Sequence, residues 1–170
     1  MTIESALESA IVYEKKVRDV YREAETKSAD DIGRRVFSLL AEEEANHVSY
    51  LEHRLKHWIE KKALSANDLK TALSQASSNA GDVEQLHRVL SDDVRTGEIA
   101  LLENVREVER ETIEFYERMV NELPEGGKAF FKRFLEIEDG HFNLVQYEID
   151  SLTNSGFWMG VQEFDMEAIG

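Results

Sequence analysis

Four stretches of the chain carry apolar residues at helical spacing, and charge interrupts each stripe at its middle. Residues three, four and seven apart share one face of an α-helix, so apolar recurrence at those intervals predicts an amphipathic helix. Over residues 3–27 the stripe is Ile3, Leu7, Ala10, Val17 and Tyr21, with Glu14 at a core position. Ser28-x-x-Asp31 has the form of a capping box, and predicts a second helix over about 31–64. Its stripe of Val36, Leu40, Leu51 and Trp58 is broken by Glu44 and His47. The connection is only a few residues long, so the two helices should pack antiparallel. A third helix is predicted over about 98–123 from Leu102, Val105, Thr112, Tyr116 and Val120, with Glu109 as the intruder. Pro124, Gly126 and Gly127 predict a turn. A fourth helix follows over about 128–153, where Phe131, Phe134 and Val145 flank Glu138 and His141. Asn154 and Gly156 are placed to end it.

The segment between the hairpins reads differently. It is polar and rich in Ser and Ala, with a possible cap at Ser65-x-x-Asp68 and a possible short helix from Val83 to Leu90. We read it as a long crossover within one domain, because neither half of the chain carries a complete set of interrupting polar residues. The expected architecture is all-α: a four-helix bundle of two helical hairpins, about 3–64 and 98–153, with a crossover at 65–97 between helices 2 and 3. The tail, 154–170, carries Phe157, Trp158 and Phe164 as anchors onto the bundle or a partner chain.

The interruptions repeat. Glu44-x-x-His47 recurs as Glu138-x-x-His141, and the flanking Leu40 and Leu51 recur as Phe134 and Val145, all offset by 94 residues. Glu14 stands 30 residues before Glu44, and Glu109 stands 29 before Glu138. Each of these glutamates is followed seven residues later by a tyrosine, Tyr21 and Tyr116. A charged group on an apolar stripe is costly unless it is paired or bound to metal. Two such hairpins packed face to face gather four carboxylates and two imidazoles in one layer, the ligand set of di-iron and di-manganese carboxylate bundles. Four ionised carboxylates would repel one another, and two divalent ions would neutralise them. Oxygen-rich ligands with imidazole suit Fe²⁺ or Mn²⁺. The candidate ligands are therefore Glu14, Glu44, His47, Glu109, Glu138 and His141. In the usual arrangement Glu44 and Glu138 bridge the ions and the other four each hold one; spacing alone leaves that division open. Tyr21 and Tyr116, two turns from their glutamates, are either hydrogen donors behind the ligands or ordinary core tyrosines. Glu43 and Glu136 read as surface groups or as neighbours behind the ligands. His53, His57 and His87 have no counterpart in the other half and read as ordinary, partly exposed histidines.

Composition narrows the picture further. With 170 residues and 42% apolar content the chain suits one folded domain. No apolar run approaches the ~20 residues of a membrane span, and MTIESALESA lacks the basic start of a secretory signal. The absence of cysteine removes disulfides and thiolate metal sites and fits a cytoplasmic location. A net charge of −15 argues against nucleic-acid partners; the acidic excess is a solvated surface that also attracts cations.

At these residues the chain resembles the rubrerythrin-like branch of the ferritin-like superfamily. The resemblance rests on Glu14, Glu44-x-x-His47, Glu109 and Glu138-x-x-His141, with the phrases LAEEEANH and ERETIEFYERM, and spans about residues 3–153. It implies a ferritin-like four-helix bundle with a long crossover and a non-haem di-iron centre that reacts with hydrogen peroxide or dioxygen. The chain departs from rubrerythrins proper in two ways. It has no cysteine, so it lacks their rubredoxin-like iron domain, and electrons must come from an external donor such as a rubredoxin-like protein, or from Fe²⁺ itself. The extra glutamate of rubrerythrins, about one turn after the third-helix ligand, is Thr112 here, and its counterpart after Glu14 is Val17. The implied site has six ligands, closer in that respect to bacterioferritin.

Three functions follow as expectations. The first is a di-iron oxidoreductase, a peroxidase or oxidase with no catalytic residue beyond the metal ligands, built as a homodimer, with manganese as an alternative metal. The second is a ferroxidase or iron-storage subunit of a ferritin-like assembly. The third is a metal-free helical interaction module, in which the six positions are merely buried polar residues.

Overall fold

A computed structural model describes residues 1–66, 68–69, 71 and 87–161. Among these residues the protein is all-helical: α1 (Ile3–Lys27), α2 (Asp31–Lys61), α3 (Asp92–Glu122) and α4 (Glu125–Asn154). The short connections make two hairpins, α1 packing on α2 and α3 on α4, and α1 also packs on α3. This is a four-helix bundle. No helix among the described residues is long and apolar enough to cross a membrane.

Local chemistry explains the helix ends. Thr2 caps α1 reciprocally with Ser5, each backbone N–H donating to the other's hydroxyl at 3.1 Å. α2 is capped by Asp30, not by the expected Ser28-x-x-Asp31 box; the Asp30 carboxylate accepts from the N–H groups of Ile32 (2.8 Å) and Gly33 (3.2 Å). α2 ends at Lys61, earlier than expected, because Lys62 takes a left-handed conformation with φ 52°. α3 begins six residues before its expected start. Asp92 and Asp93 occupy its first turn, where negative charge is favoured by the helix dipole. Pro124 is the N-cap of α4, so Gly126 and Gly127 form its first turn rather than the turn before it. At the other end Gly156, φ +80°, donates back to Ser151 O and Leu152 O and stops the helix. Ser65 and Asp68 do not cap a helix among the described residues; they accept the Tyr50 hydroxyl at 3.0 Å each. Of the helix expected at Val83–Leu90, residues 87–90 are irregular and 83–86 lie outside the described residues.

The core falls into two apolar clusters. One gathers Val17, Tyr21, Phe37, Leu40, Leu102, Val105, Leu144 and Val145. The other gathers Leu7, Ala10, Leu51, Phe115, Tyr116, Phe130, Phe131 and Phe134. Every helix contributes to both, and on every helix the interrupting Glu and His residues lie between its two contributions. The polar layer is therefore sandwiched midway along the bundle, with apolar packing on either side keeping water out.

The segment after α4 folds back onto this same chain. Trp158 is 1% exposed, meets Phe37 edge-on at 5.5 Å, and donates its indole N–H to Glu98 at 3.1 Å. Phe164 lies outside the described residues. Glu98 also accepts from the Ser28 hydroxyl (2.7 Å) and the Ala29 N–H (2.8 Å), tying the α1–α2 connection to α3. Gly33 lies against this junction. A Cβ there would sit 2.6 Å from Glu98 Oε2, 2.7 Å from Ser28 Oγ and 2.8 Å from Trp158 Cε2. Alanine in a helix interior normally stabilises by about 1 kcal/mol over glycine. Here the clash reverses the sign, and Gly33→Ala should cost about 1–3 kcal/mol, read as a lower urea midpoint.

Glu148, fully buried, accepts the N–H groups of Met159 (2.9 Å) and Gly160 (2.6 Å). Burial pushes its carboxyl up to about 7, although the two N–H groups favour the charged form. The unfolded chain holds that proton less tightly, with an ordinary Glu value of about 4.3. The stability it contributes is thus full below that value and lost as pH rises through about 7. The thermal midpoint should therefore fall between about pH 5 and about pH 7 more steeply in the wild type than in Glu148→Gln, a comparison that scanning calorimetry makes directly.

Candidate metal centre

Six side chains converge from the four helices. Glu14 comes from α1, Glu44 and His47 from α2, Glu109 from α3, and Glu138 and His141 from α4. All are at most 1% exposed. The three-residue spacing on α2 and α4 brings each Glu and His onto one face, and the mirrored hairpins turn those faces toward each other. The two imidazole rings stack at 5.8 Å with an interplanar angle of 9°.

The arrangement divides into two overlapping groups. Glu14, Glu44, His47 and Glu138 form one; Glu44, Glu109, Glu138 and His141 form the other. Within each group, one ligand atom per residue lies within 4.8 Å of all the others. Glu44 and Glu138 belong to both. His47 Nδ1 lies 3.1 Å from Glu14, 3.0 Å from Glu44 and 3.5 Å from Glu138. His141 Nδ1 lies 2.6 Å from Glu44, 3.6 Å from Glu138 and 3.8 Å from Glu109. Each histidine thus aims the same ring nitrogen at the carboxylates of its group. These buried Glu/His groups could hold a metal ion.

The donor set fits such an ion by its unpaired atoms. Both oxygens of Glu138 and Oε2 of Glu109 are buried without a hydrogen-bond partner. Buried carboxylate oxygens in native proteins nearly always have a partner, and an uncompensated charge in such a place is very costly. A cation among them would satisfy oxygens that no protein hydrogen bond pairs, the nearest imidazole nitrogens lying 3.5 and 3.6 Å from Glu138.

Among the protein groups alone, the layer divides its protons unevenly. Burial, then Glu138 and Glu44, push the Glu14 carboxyl well above the usual range. Glu109 is raised likewise, by burial and then Glu138. Burial acts in the same direction on Glu44, but the flanking His141 and His47 outweigh it and hold that carboxyl well below the usual range. Burial alone would keep both imidazoles neutral; Glu44, with Glu14 beside His47 and Glu138 beside His141, raises them instead.

The tyrosines are hydrogen donors, but crosswise. Tyr21 on α1 donates to Glu109 on α3, and Tyr116 on α3 donates to Glu14 on α1. Each tyrosine serves the glutamate of the other hairpin rather than the one seven residues before it on its own helix. Burial, with the nearby carboxylates, raises both phenols and keeps them protonated donors. Glu43 is buried at 2% exposure, accepts the Thr71 hydroxyl, and places Oε1 3.5 Å from His141 Nε2. Glu136 is exposed and pairs with Arg133 at 3.3 Å. His53, His57 and His87 do not join the cluster; His57 lies 3.2 Å from Ala63 O, and His87 lies 3.2 Å from Trp158 O. Sequence reasoning missed Glu98 and Glu148 as buried groups. Both continue the helical stripes, Glu98 four residues before Leu102 and Glu148 three after Val145, and that periodicity was the available signal.

No family model matches the chain, and no curated protein or solved structure matches it either.

Proposed function

We propose that the protein is a non-haem dinuclear iron protein of rubrerythrin type, an oxidoreductase that reduces hydrogen peroxide or dioxygen. The observation that carries this reading is the pair of overlapping Glu/His groups with Glu44 and Glu138 in common and the oxygens of Glu138 unpaired. Glu14 and His47 would hold one ion, Glu109 and His141 the other, and Glu44 and Glu138 both. When bound, two iron ions would supply the two electrons needed to convert hydrogen peroxide and two protons to two waters. The chain's own part is to fix six ligands in a dry layer between two apolar clusters and to orient Glu14 and Glu109 through the Tyr116 and Tyr21 hydroxyls. With no cysteine in the sequence, the electrons are restored by an external donor. Thr112 donates its hydroxyl to Val108 O at 3.0 Å, and Val17 packs in an apolar cluster. Neither adds a seventh ligand, which supports a six-ligand site.

The test is peroxide turnover by protein loaded anaerobically with Fe²⁺, in the presence of a reduced rubredoxin-type donor. Many peroxides consumed per site, at steady rate, is the expected result. A single peroxide per site would overturn the oxidoreductase reading. Retention of iron far beyond two per chain in a large assembly would instead establish storage. Metal analysis of protein purified without added iron decides between iron and manganese.

A further inference from the structure

The two halves of the site match in their ligands but not behind them. The 94-residue offset that pairs Glu44 with Glu138 and His47 with His141 also pairs Glu43 with Ile137. Glu43 is buried beside His141, with Oε1 3.5 Å from its Nε2. Ile137 is equally buried but packs in the apolar cluster with Phe130, Phe131 and Phe134. His47 Nε2 and His141 Nε2 are both buried without a hydrogen-bond partner, but among the described residues only His141 Nε2 has a carboxylate oxygen within 4 Å. One imidazole thus has a carboxylate behind it where the repeat gives the other an isoleucine. The Glu43 carboxylate is itself held, since the Thr71 hydroxyl donates to the same Oε1 that faces His141.

A metal-ligating histidine generally donates its outer N–H to such a group, which fixes the ring's tautomer and raises its basicity as a ligand. At 3.5 Å the Glu43–His141 contact stops just short of a hydrogen bond, as functional pairs often do before their ligand is in place. We propose that Glu43 makes the two metal positions unequal, so that the Glu109/His141 position fills before the Glu14/His47 position. This rests on the dinuclear reading above and adds an order to it. Glu43 is a positioning residue: it acts through His141, keeping Nδ1 bare toward the site, and adds a fifth carboxylate charge on that side only. An order of filling gives the pair of ions distinct roles, the tightly held one remaining when the other is lost.

The experiment is a Zn²⁺ titration of chelator-treated full-length protein labelled with ¹⁵N-histidine, followed by NMR, with ring signals assigned through His47→Gln and His141→Gln. Zn²⁺ serves as a diamagnetic probe. In the wild type the first equivalent should move the His141 Nδ1 resonance and the second that of His47. The two dissociation constants should differ by roughly 10–100-fold, the usual effect of such an outer partner. In Glu43→Gln, which keeps the shape and loses the charge, the difference should shrink toward one and the two rings should respond together. Glu43→Ile, which supplies the residue found in the other half, should behave the same way, and circular dichroism confirms that each variant is folded. Rings that respond together in the wild type, or an unchanged order in folded Glu43→Gln, would overturn this proposal while leaving the dinuclear site intact. No Zn²⁺ binding by the wild type would overturn both.

Discussion

Replacing Glu44 and Glu138 together with alanine should abolish metal binding, where the wild type loaded anaerobically with Fe²⁺ retains about two ions per chain. The expectation follows from topology rather than from counting ligands. Glu14 and His47 belong to one group, Glu109 and His141 to the other, but Glu44 and Glu138 belong to both. Removing the shared pair leaves each prospective ion with one carboxylate and one imidazole, too few to compete with water. Glu14→Ala should behave differently, since it strips one group and leaves the other complete; one ion per chain should survive. Elemental analysis after desalting reads both results. Bound metal undiminished in the double variant would place the ions elsewhere, and the reading of this layer would fail. The double variant should remain helical, because both apolar clusters that flank the layer keep their side chains.

The polar layer was legible in the sequence because its cost is local. A Glu or His on a stripe of Leu, Val and Phe announces itself one helix at a time, and the repeat of Glu44-x-x-His47 as Glu138-x-x-His141 tells that two such helices share a purpose. The hairpins were legible for a related reason: a connection of a few residues allows only antiparallel neighbours. What a single helix cannot reveal is which partner lies across the bundle. The tyrosines follow their own glutamates by seven residues, yet they serve the glutamates of the other hairpin, because α1 packs on α3 with Tyr21 opposite Glu109 and Tyr116 opposite Glu14. Glu43 was ambiguous for the same reason. It is adjacent in sequence to a ligand, and only the approach of α4 places His141 against it. The helix starts were missed where charge, not periodicity, sets the boundary: Asp92 and Asp93 open α3 ahead of its apolar stripe. Glu98 and Glu148 were missed because their partners are the Ser28 hydroxyl and backbone and indole N–H groups in connecting and tail segments, which no helical pattern specifies.

Metal should also stabilise this fold strongly, and the size of the effect separates a metal centre from a merely polar core. An ion that binds only the native state at a thousand times its dissociation constant adds about 4 kcal/mol. Two ions add about 8 kcal/mol, and at roughly 2–4 °C per kcal/mol for a domain of this size the melting temperature should rise by about 15–30 °C over chelator-treated protein. The metal-free module predicts no rise. A variant sharpens the contrast. Glu14→Leu with Glu109→Leu removes two carboxylates whose charging burial opposes, but it also strips the acceptors from the buried Tyr116 and Tyr21 hydroxyls. Each orphaned hydroxyl would cost about 1–3 kcal/mol and mask the gain. Adding Tyr21→Phe and Tyr116→Phe removes that penalty. The fourfold variant should then be more stable than the wild type without metal, by about 1–4 kcal/mol, as when buried polar clusters elsewhere are replaced by apolar side chains of similar volume. It should show almost none of the metal-dependent rise. Calorimetry with and without Fe²⁺ under anaerobic conditions reads both quantities in one set of scans. If the variant gains as much from metal as the wild type does, Glu14 and Glu109 hold no ion. If instead it is less stable than the wild type without metal, the glutamates and tyrosines are structural hydrogen-bond partners first, and the layer owes its burial to the fold rather than to a bound ion.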